Sequence, residues 1–382
     1  MSFETAHQFR SWTAQSTEMS VAVVLDLRAG ADVIADVVQR TRRVTHEALS
    51  VAQQWLGDTR FEGSLLVVLT QGAVTVADED ITDVASAAVW GLIRSAQSED
   101  PGRIILVDSD SPGDATGLVP QTLAVGEAQV AIRGETAYVA RLSRVNPATE
   151  SLPTRLGESL SSGSVVITGG TGGLGAVVAR HLVSAHGARS LVLASRRGES
   201  APGAPELMAE LSELGARVSI VACDVSTRAG VTALLAAVPP YAPLAGVVHT
   251  AGVLDDGVVS ALTPQRVDTV LAAKAEAAWW LHEATKDLDL ALFVLYSSAA
   301  GVLGGAGVAN YAAANTFLDA LAQFRQRRGL PAVSIAWGLW DSGSGMGARL
   351  RGEDTTRFGR GGVTGMTVEQ GLSWFDASIS QH

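Results

Sequence analysis

The sequence predicts an α/β fold of two subdomains, the second a doubly wound parallel sheet. Three observations predict it. Short apolar runs alternate with helical patterns through the second half of the chain. One of those runs ends in a glycine-rich turn that opens a helix. The length, 382 residues, suits two subdomains of roughly 100–200 residues each.

In the first half, Val21–Leu27, Ser64–Thr70 and Arg103–Asp108 read as strands and Asp80–Glu99 as a helix. No phosphate-binding glycine loop follows these strands. Thr70-Gln71-Gly72-Ala73 comes nearest, with a single glycine. Residues 1–158 therefore read as a nucleotide-free α/β unit with a structural role. A second binding domain of another kind is the rival reading. This half looks truncated, because no strand is obvious before Val21. Residues 144–164 carry two prolines and many small polar residues and form the best linker candidate.

The second half, 159–382, has strand-like runs at Val165–Thr168, Ser190–Ala194, Val218–Val221, Gly246–Thr250, Ala291–Ser297 and Ala332–Ala336. Helical patterns fill the gaps, notably Pro264–Lys286 and Val308–Arg327. Right-handed crossovers then place ligands at the carboxyl ends of the strands. Residues 341–365 hold eight glycines beside the last strand. They read as a mobile lid or as a merely disordered loop.

Composition excludes several classes. With 28 basic against 39 acidic residues, net −11, the chain lacks the basic face that phosphate backbones or anionic membranes require. Leu290 to Phe317 carries no charge, but its four glycines and two asparagines read as strand, loop and helix start rather than a membrane span. The single cysteine, Cys223, allows no intrachain disulfide and no cysteine cluster for zinc. No metal site is expected. The start lacks a signal pattern, so a cytoplasmic protein is expected. Only Lys274 and Lys286 stand among many arginines.

Val165 to Gly175 runs from strand through glycines to a helix. Gly170, Gly172 and Gly175 fit G-x-G-x-x-G, while Gly169, Gly173 and Gly175 fit T-G-x-x-x-G-x-G. Both patterns let backbone approach a pyrophosphate at a helix N-terminus. Thr171 and Leu174 belong to the same turn, and the arrangement predicts a Rossmann-like dinucleotide site. The next strand ends in Ser195-Arg196-Arg197 instead of an acidic residue. Two guanidiniums and a hydroxyl suit a 2′-phosphate, so NADPH is expected over NADH. Asp224 and Val225, after the third strand, are placed to meet the adenine. Ala251 and Gly252, after the fourth, leave room for the nicotinamide ribose. His249 reads as a core or loop histidine rather than a catalyst.

Reduction of a ketone needs a proton donor, a hydrogen bond to the oxygen and a cation to tune the donor. Tyr311 opens a helix and shares a face with Asn315. Ser298 lies thirteen residues before Tyr311, just after the fifth strand, with Ser297 the competing hydroxyl. Lys274 lies twenty-four residues before Ser298. Here the chain resembles the ketoreductase domains of modular (type I) polyketide synthases, a branch of the short-chain dehydrogenase/reductases. That branch exchanges lysine and asparagine relative to ordinary members, as Lys274 and Asn315 do. The likeness extends to Ala88–Gln97 and Pro101–Arg103 in the first half and Ala336-Trp337-Gly338-Leu339-Trp340 in the second.

The resemblance implies that Tyr311 protonates the ketone oxygen, Ser298 hydrogen-bonds it, Lys274 lowers the tyrosine pKa, and Asn315 supports the lysine and a relaying water. Leu254-Asp255-Asp256 matches the L-D-D loop of B-type members, and Leu303 replaces the tryptophan of A-type members. A D (3R) β-hydroxyl is implied. Ala313 stands where epimerising members carry proline, so no α-epimerisation is expected. Val308 replaces a frequent glutamine, which bears on substrate positioning. The implied substrate is a β-ketoacyl thioester on an acyl carrier protein. No carrier, acyltransferase or condensing motif occurs here, so neighbouring synthase domains are expected partners. Residues 1–158 are expected to cover the helices that pair classical short-chain reductases, so the domain itself is expected to be a monomer. The rival readings are a catalytically silent scaffold, another short-chain-reductase chemistry such as epimerisation or dehydration, and reduction of fatty-acid or small-molecule ketones.

Overall fold

In a computed structural model, residues 1–15, 21–28, 36–144, 154–341 and 364–380 are described. Residues 342–363 of the expected lid and 145–153 of the expected linker lie outside them. The chain forms two compact units. One comprises Met1–Val145, Asp255–Leu271 and Ala299–Phe324; the other comprises Asn146–Leu254, Ala272–Ser298 and Arg325–His382.

The sheet of the first unit contains β1 (Ser2–Phe3), β2 (Ala22–Asp26), β3 (Leu65–Thr70), β4 (Ile104–Ser109), β5 (Gln129–Arg133) and β6 (Thr136–Tyr138), in that order. All neighbours pair in parallel except β5 and β6, which form an antiparallel hairpin. The two-residue β1 precedes Val21. It escapes sequence reading because two residues carry no periodicity. The predicted helix from Asp80 starts only at Val84, because the Asp83 side chain caps it by accepting from the Ser86 N–H.

Among the described residues the strand order of this sheet runs without the reversal at which open α/β sheets offer a ligand crevice. The Thr70–Ala73 turn is also occupied from within. Asp108, fully buried at the end of β4, accepts from Gly72 N (3.2 Å), Ala73 N (2.9 Å), Thr70 Oγ1 (2.8 Å) and Arg133 Nη2 (2.9 Å). A carboxylate of the chain itself thus takes the donors that would meet a phosphate.

Helices from later in the sequence contribute to this unit: Pro264–Leu271, Ala299–Leu303 and, through Phe324, Ala309–Gln326. Gly91, in the helix Val84–Glu99, permits a close helix approach. A Cβ there would lie 2.2 Å from the Ala312 carbonyl oxygen.

The second unit's sheet contains β7 (Ser164–Thr168), β8 (Ser190–Ser195), β9 (Arg217–Ala222), β10 (Leu244–His249), β11 (Leu292–Ser298) and β12 (Val333–Trp337). Its order is β12-β11-β10-β7-β8-β9 and every neighbour is parallel. This is the doubly wound arrangement the sequence predicts, reversing between β7 and β10. Every residue of β7 is buried, as expected of a strand covered on both faces.

Two expectations need correction. The second part of the linker is a helix, Thr154–Ser162, whose Leu156 and Leu160 are buried in the core of this unit. They are one helical turn apart, a signal hidden by the polar residues around them. The helix expected over Pro264–Lys286 is also interrupted. A π-helical turn, Ala272–Glu276, separates Pro264–Leu271 from Ala277–Thr285.

Candidate active site

In the second unit, β7 delivers the glycine turn to the edge of the sheet where the strand order reverses. Gly169 has φ +68°, a left-handed conformation that favours glycine. At Gly175 a Cβ would lie 2.3 Å from the Gly169 carbonyl oxygen, so only hydrogen lets the helix Gly173–Ser184 pack against the turn. Gly172 caps that helix without any side-chain hydrogen bond and has open space around its α-carbon. Thr171 is buried, while Gly173 and Leu174 are half-exposed in the first turn. Gly170 is anchored by its N–H to the Ala194 carbonyl of β8. The cradle is therefore shaped for a ligand's phosphates: backbone N–H groups at a helix start, with no side chain in the way.

At the end of β8, Ser195 is half-buried, and Arg196 and Arg197 are exposed. Neither guanidinium has a hydrogen bond or ion pair among the described residues. By contrast, Arg180 pairs with Glu210 and Arg217 lies over the Tyr241 ring. Asp224 is exposed beyond β9 and accepts from the Ser226 N–H at 3.0 Å, and Val225 is buried. These features fit a phosphorylated dinucleotide: an open glycine cradle and two cations that pair with no side chain among the described residues.

Beyond β10 the backbone meets the lysine. Lys274 is buried on the π-helical turn, and its Nζ donates to the Tyr296 carbonyl of β11 at 2.9 Å. Gly252 lies against its stem; a Cβ there would be 3.2 Å from both Cγ and Cδ of Lys274. Such wide turns recur where a helix must aim a functional side chain.

His249, which the sequence reads as a core or loop histidine, does more than fill space. Its Nε2 lies 3.0 Å from the Lys274 carbonyl and its Nδ1 2.7 Å from Thr168 Oγ1. A carbonyl only accepts, so Nε2 carries the hydrogen and Nδ1 accepts from the threonine. Thr168 Oγ1 in turn accepts from the Ala251 N–H at 3.3 Å. Burial, reinforced by the Lys274 charge, pushes the imidazole pKa down to about 3. A neutral histidine thus links β7 to the turn that carries the lysine. The His-Thr-Ala-Gly run was visible in the sequence; its reach to residue 274 was not.

Ser298 ends β11 and is half-buried, whereas Ser297 is buried beneath it. In the first unit, Tyr311 is the third residue of the helix Ala309–Gln326 and is half-buried. Asn315, one turn on and fully buried, donates from Nδ2 to the Tyr311 carbonyl at 2.8 Å. Lys274 and Ser298 belong to the second unit, Tyr311 and Asn315 to the first. Leu254 is half-buried and Asp256 is exposed. Asp255 pairs with Arg266, its Oδ1 2.9 Å from Nε. Leu303 is exposed. Sequence reading missed Glu99, Arg266 and Asn310, whose carboxylate, guanidinium and amide all engage the segments around Asp255 and Tyr311. No short motif announces them.

A reversing parallel sheet with a glycine cradle at its switch point defines a Rossmann-type α/β protein. Comparison with known proteins narrows that class. A family model for the KR domain matches residues 163–342. A second, described as the Rossmann fold domain of polyketide synthase extender module SpnB, matches residues 4–142. Polyketide synthase GfsA of Streptomyces halstedii is 50% identical over 370 residues, covering 96% of this chain and 5% of that protein. Mycoketide-CoA synthase of Mycobacterium tuberculosis is 55% identical over 221 residues, 58% of this chain and 5% of that protein. Among solved structures, A-type ketoreductases from a modular polyketide synthase align with TM-score 0.82 and 38% identity, over 98% of this chain and 78% of that one. The first ketoreductase of the tylosin synthase gives TM-score 0.82 and 36% identity, over 98% and 78%. The chain belongs to the ketoreductase domains of modular polyketide synthases. It spans only about 5% of the length of GfsA and 9% of that of GfsE, another synthase it matches.

Proposed function

We propose that the chain reduces a β-ketoacyl thioester, held on an acyl carrier protein, to a D (3R) β-hydroxyacyl thioester with NADPH and without α-epimerisation. The observation that carries this reading is the exchanged lysine–asparagine pair. Lys274 is buried on its π-helical turn with Nζ fixed to β11, and Asn315 stands one turn past Tyr311.

In this reading NADPH supplies the hydride. The glycine turn of Gly169, Gly170, Thr171, Gly172, Gly173, Leu174 and Gly175 holds the pyrophosphate, and Ser195, Arg196 and Arg197 hold the 2′-phosphate. Asp224 and Val225 border the adenine, and Ala251 and Gly252 border the ribose. The Tyr311 hydroxyl gives its proton to the ketone oxygen while the Ser298 hydroxyl donates a hydrogen bond to it. The Lys274 ammonium eases loss of the phenolic proton, a task suited to a compact point charge. Asn315 supports the lysine and a relaying water.

Leu254-Asp255-Asp256, with Leu303 in place of tryptophan, supports B-type facial choice, and Ala313 supports retention of the α-centre. The carrier protein and neighbouring synthase domains are the proposed partners, with a monomeric domain in a cytoplasmic assembly. The nucleotide-free structural subdomain 1–158 and the catalytic subdomain 159–382 complete the reading.

The test is NADPH oxidation with a racemic α-methyl-β-ketoacyl N-acetylcysteamine thioester, followed by chiral chromatography. One D-hydroxy product with its α-centre retained is expected. An L-alcohol overturns the facial assignment, and turnover with NADH alone overturns the cofactor.

A further inference from the structure

We propose that Glu99 and Arg266 are positioning residues for facial choice, tying the Asp255–Asp256 loop and the turn that leads into Tyr311 into one hydrogen-bonded block. The inference rests on the reductase reading above. Every residue it uses lies in the first unit.

Arg266 spans the loop with its whole fork. Nε donates to Asp255 Oδ1 at 2.9 Å, Nη2 donates to the carbonyls of Asp255 (3.1 Å) and Asp256 (2.5 Å), and Nη1 donates to the Ala261 carbonyl (3.1 Å). Gly257 makes room for it, since a Cβ there would lie 2.8 Å from Nη1. The Asp255 carboxylate is thus engaged within the loop, and what the loop presents is a fixed backbone shape. A lysine could not reproduce this, because an ammonium lacks the planar fork.

The loop is then tied to the approach of Tyr311. Gly257 N donates to the Gly307 carbonyl at 2.9 Å. The fully buried Asn310 donates from Nδ2 to the Asp255 carbonyl at 2.8 Å, and its Oδ1 accepts from the Tyr311 N–H at 2.9 Å. Glu99, the last residue of the helix Val84–Glu99, bridges both segments. One carboxylate oxygen accepts from Val259 N and the other from Gly307 N, each at 2.9 Å. A single carboxylate therefore sets the spacing between the loop beside the substrate and the helix that carries the proton donor. The structural half of the chain acquires a catalytic consequence: it fixes geometry on which the choice of ketone face depends.

The test uses the whole chain with Glu99→Gln, Arg266→Ala and Arg266→Lys. Glutamine keeps the shape of Glu99 but offers one acceptor for two N–H donors, leaving the second facing an amide NH₂. Two readouts are taken: the D:L ratio with kcat and KM, and hydrogen exchange at the Val259 and Gly307 amides. The expected result for Glu99→Gln is exchange at those amides faster by at least about tenfold. For all three variants the D:L ratio should fall by at least about tenfold, with kcat within about threefold of wild type. A folded variant with unchanged exchange and unchanged ratio overturns the inference. A fall in kcat with an unchanged ratio also overturns it. A wild type that makes the L-alcohol refutes B-type facial choice instead. One that does not oxidise NADPH refutes the reductase reading, and exchange in Glu99→Gln then decides whether the block exists.

Discussion

The two most deeply buried histidines make stability depend on pH in a direction that can be worked out. His249 accepts from Thr168 at Nδ1, and His282 accepts from Arg325 Nη1 at Nδ1, 2.9 Å away. Neither nitrogen can take a proton without losing its bond. Burial, with Lys274 near one ring and Arg325 near the other, brings each pKa down to about 3. In the unfolded chain an imidazole titrates near ~6.5. Below that value the unfolded state binds protons that the folded state refuses, so stability falls as pH drops through the window between the two pKa values. Well below its unfolded pKa each histidine contributes a slope approaching about 1.4 kcal/mol per pH unit, and the pair together loses about 3 kcal/mol between pH 6.5 and pH 5. That is a large share of a typical total of roughly 5–15 kcal/mol. The assay is urea unfolding followed by tryptophan fluorescence between about pH 8 and pH 5. His282→Gln keeps an acceptor for Arg325 but cannot titrate, so its slope should be shallower by about 1.4 kcal/mol per unit. Equal slopes for variant and wild type would refute the reasoning.

Three further outcomes follow from the geometry. Arg196→Ala with Arg197→Ala should raise KM for NADPH by at least about tenfold and spare NADH, checked by steady-state kinetics with both cofactors. Gly252→Ala places a methyl 3.2 Å from the Lys274 stem. Displacing the lysine by a few tenths of an ångström should cost on the order of tenfold in kcat with little change in melting temperature. Gly91→Ala puts a Cβ 2.2 Å from the Ala312 carbonyl oxygen. The helices must separate, and calorimetry should show a loss of at least about 1–3 kcal/mol.

How much of this was legible beforehand depended on the range of the interactions. The alternation of apolar runs with helical patterns gave the second sheet, with boundaries shifted by a residue or two. Val165–Thr168, for example, became Ser164–Thr168. Periodicity works there because a strand buried on both faces leaves a continuous apolar run. It fails for β1, which is two residues long, and for β5 and β6, a hairpin partly exposed at the sheet edge. The π-helical turn was invisible, since one extra residue in a turn leaves no compositional mark. The glycine turn was readable because some of its glycines answer local steric demands: Gly169 has a positive φ and Gly175 lies too close to the Gly169 carbonyl oxygen for a side chain. The links through His249, Arg266 and Glu99 join residues 25, 11 and 160 or more positions apart. Neither propensity nor spacing encodes contacts of that kind. The first sheet shows the same division. A single glycine in Thr70–Ala73 argued against a phosphate loop, but only the fold reveals that Asp108 occupies its donors.

The most direct test of the central claim is the rate of NADPH-dependent reduction of a β-ketoacyl thioester by Tyr311→Phe beside wild type. Cofactor affinity is followed separately by fluorescence, so that folding and binding are known to be intact. If Tyr311 is the proton donor, loss of its hydroxyl lowers kcat by on the order of 10²–10⁴ with NADPH affinity preserved. A variant that binds NADPH and keeps most of its turnover would contradict the account.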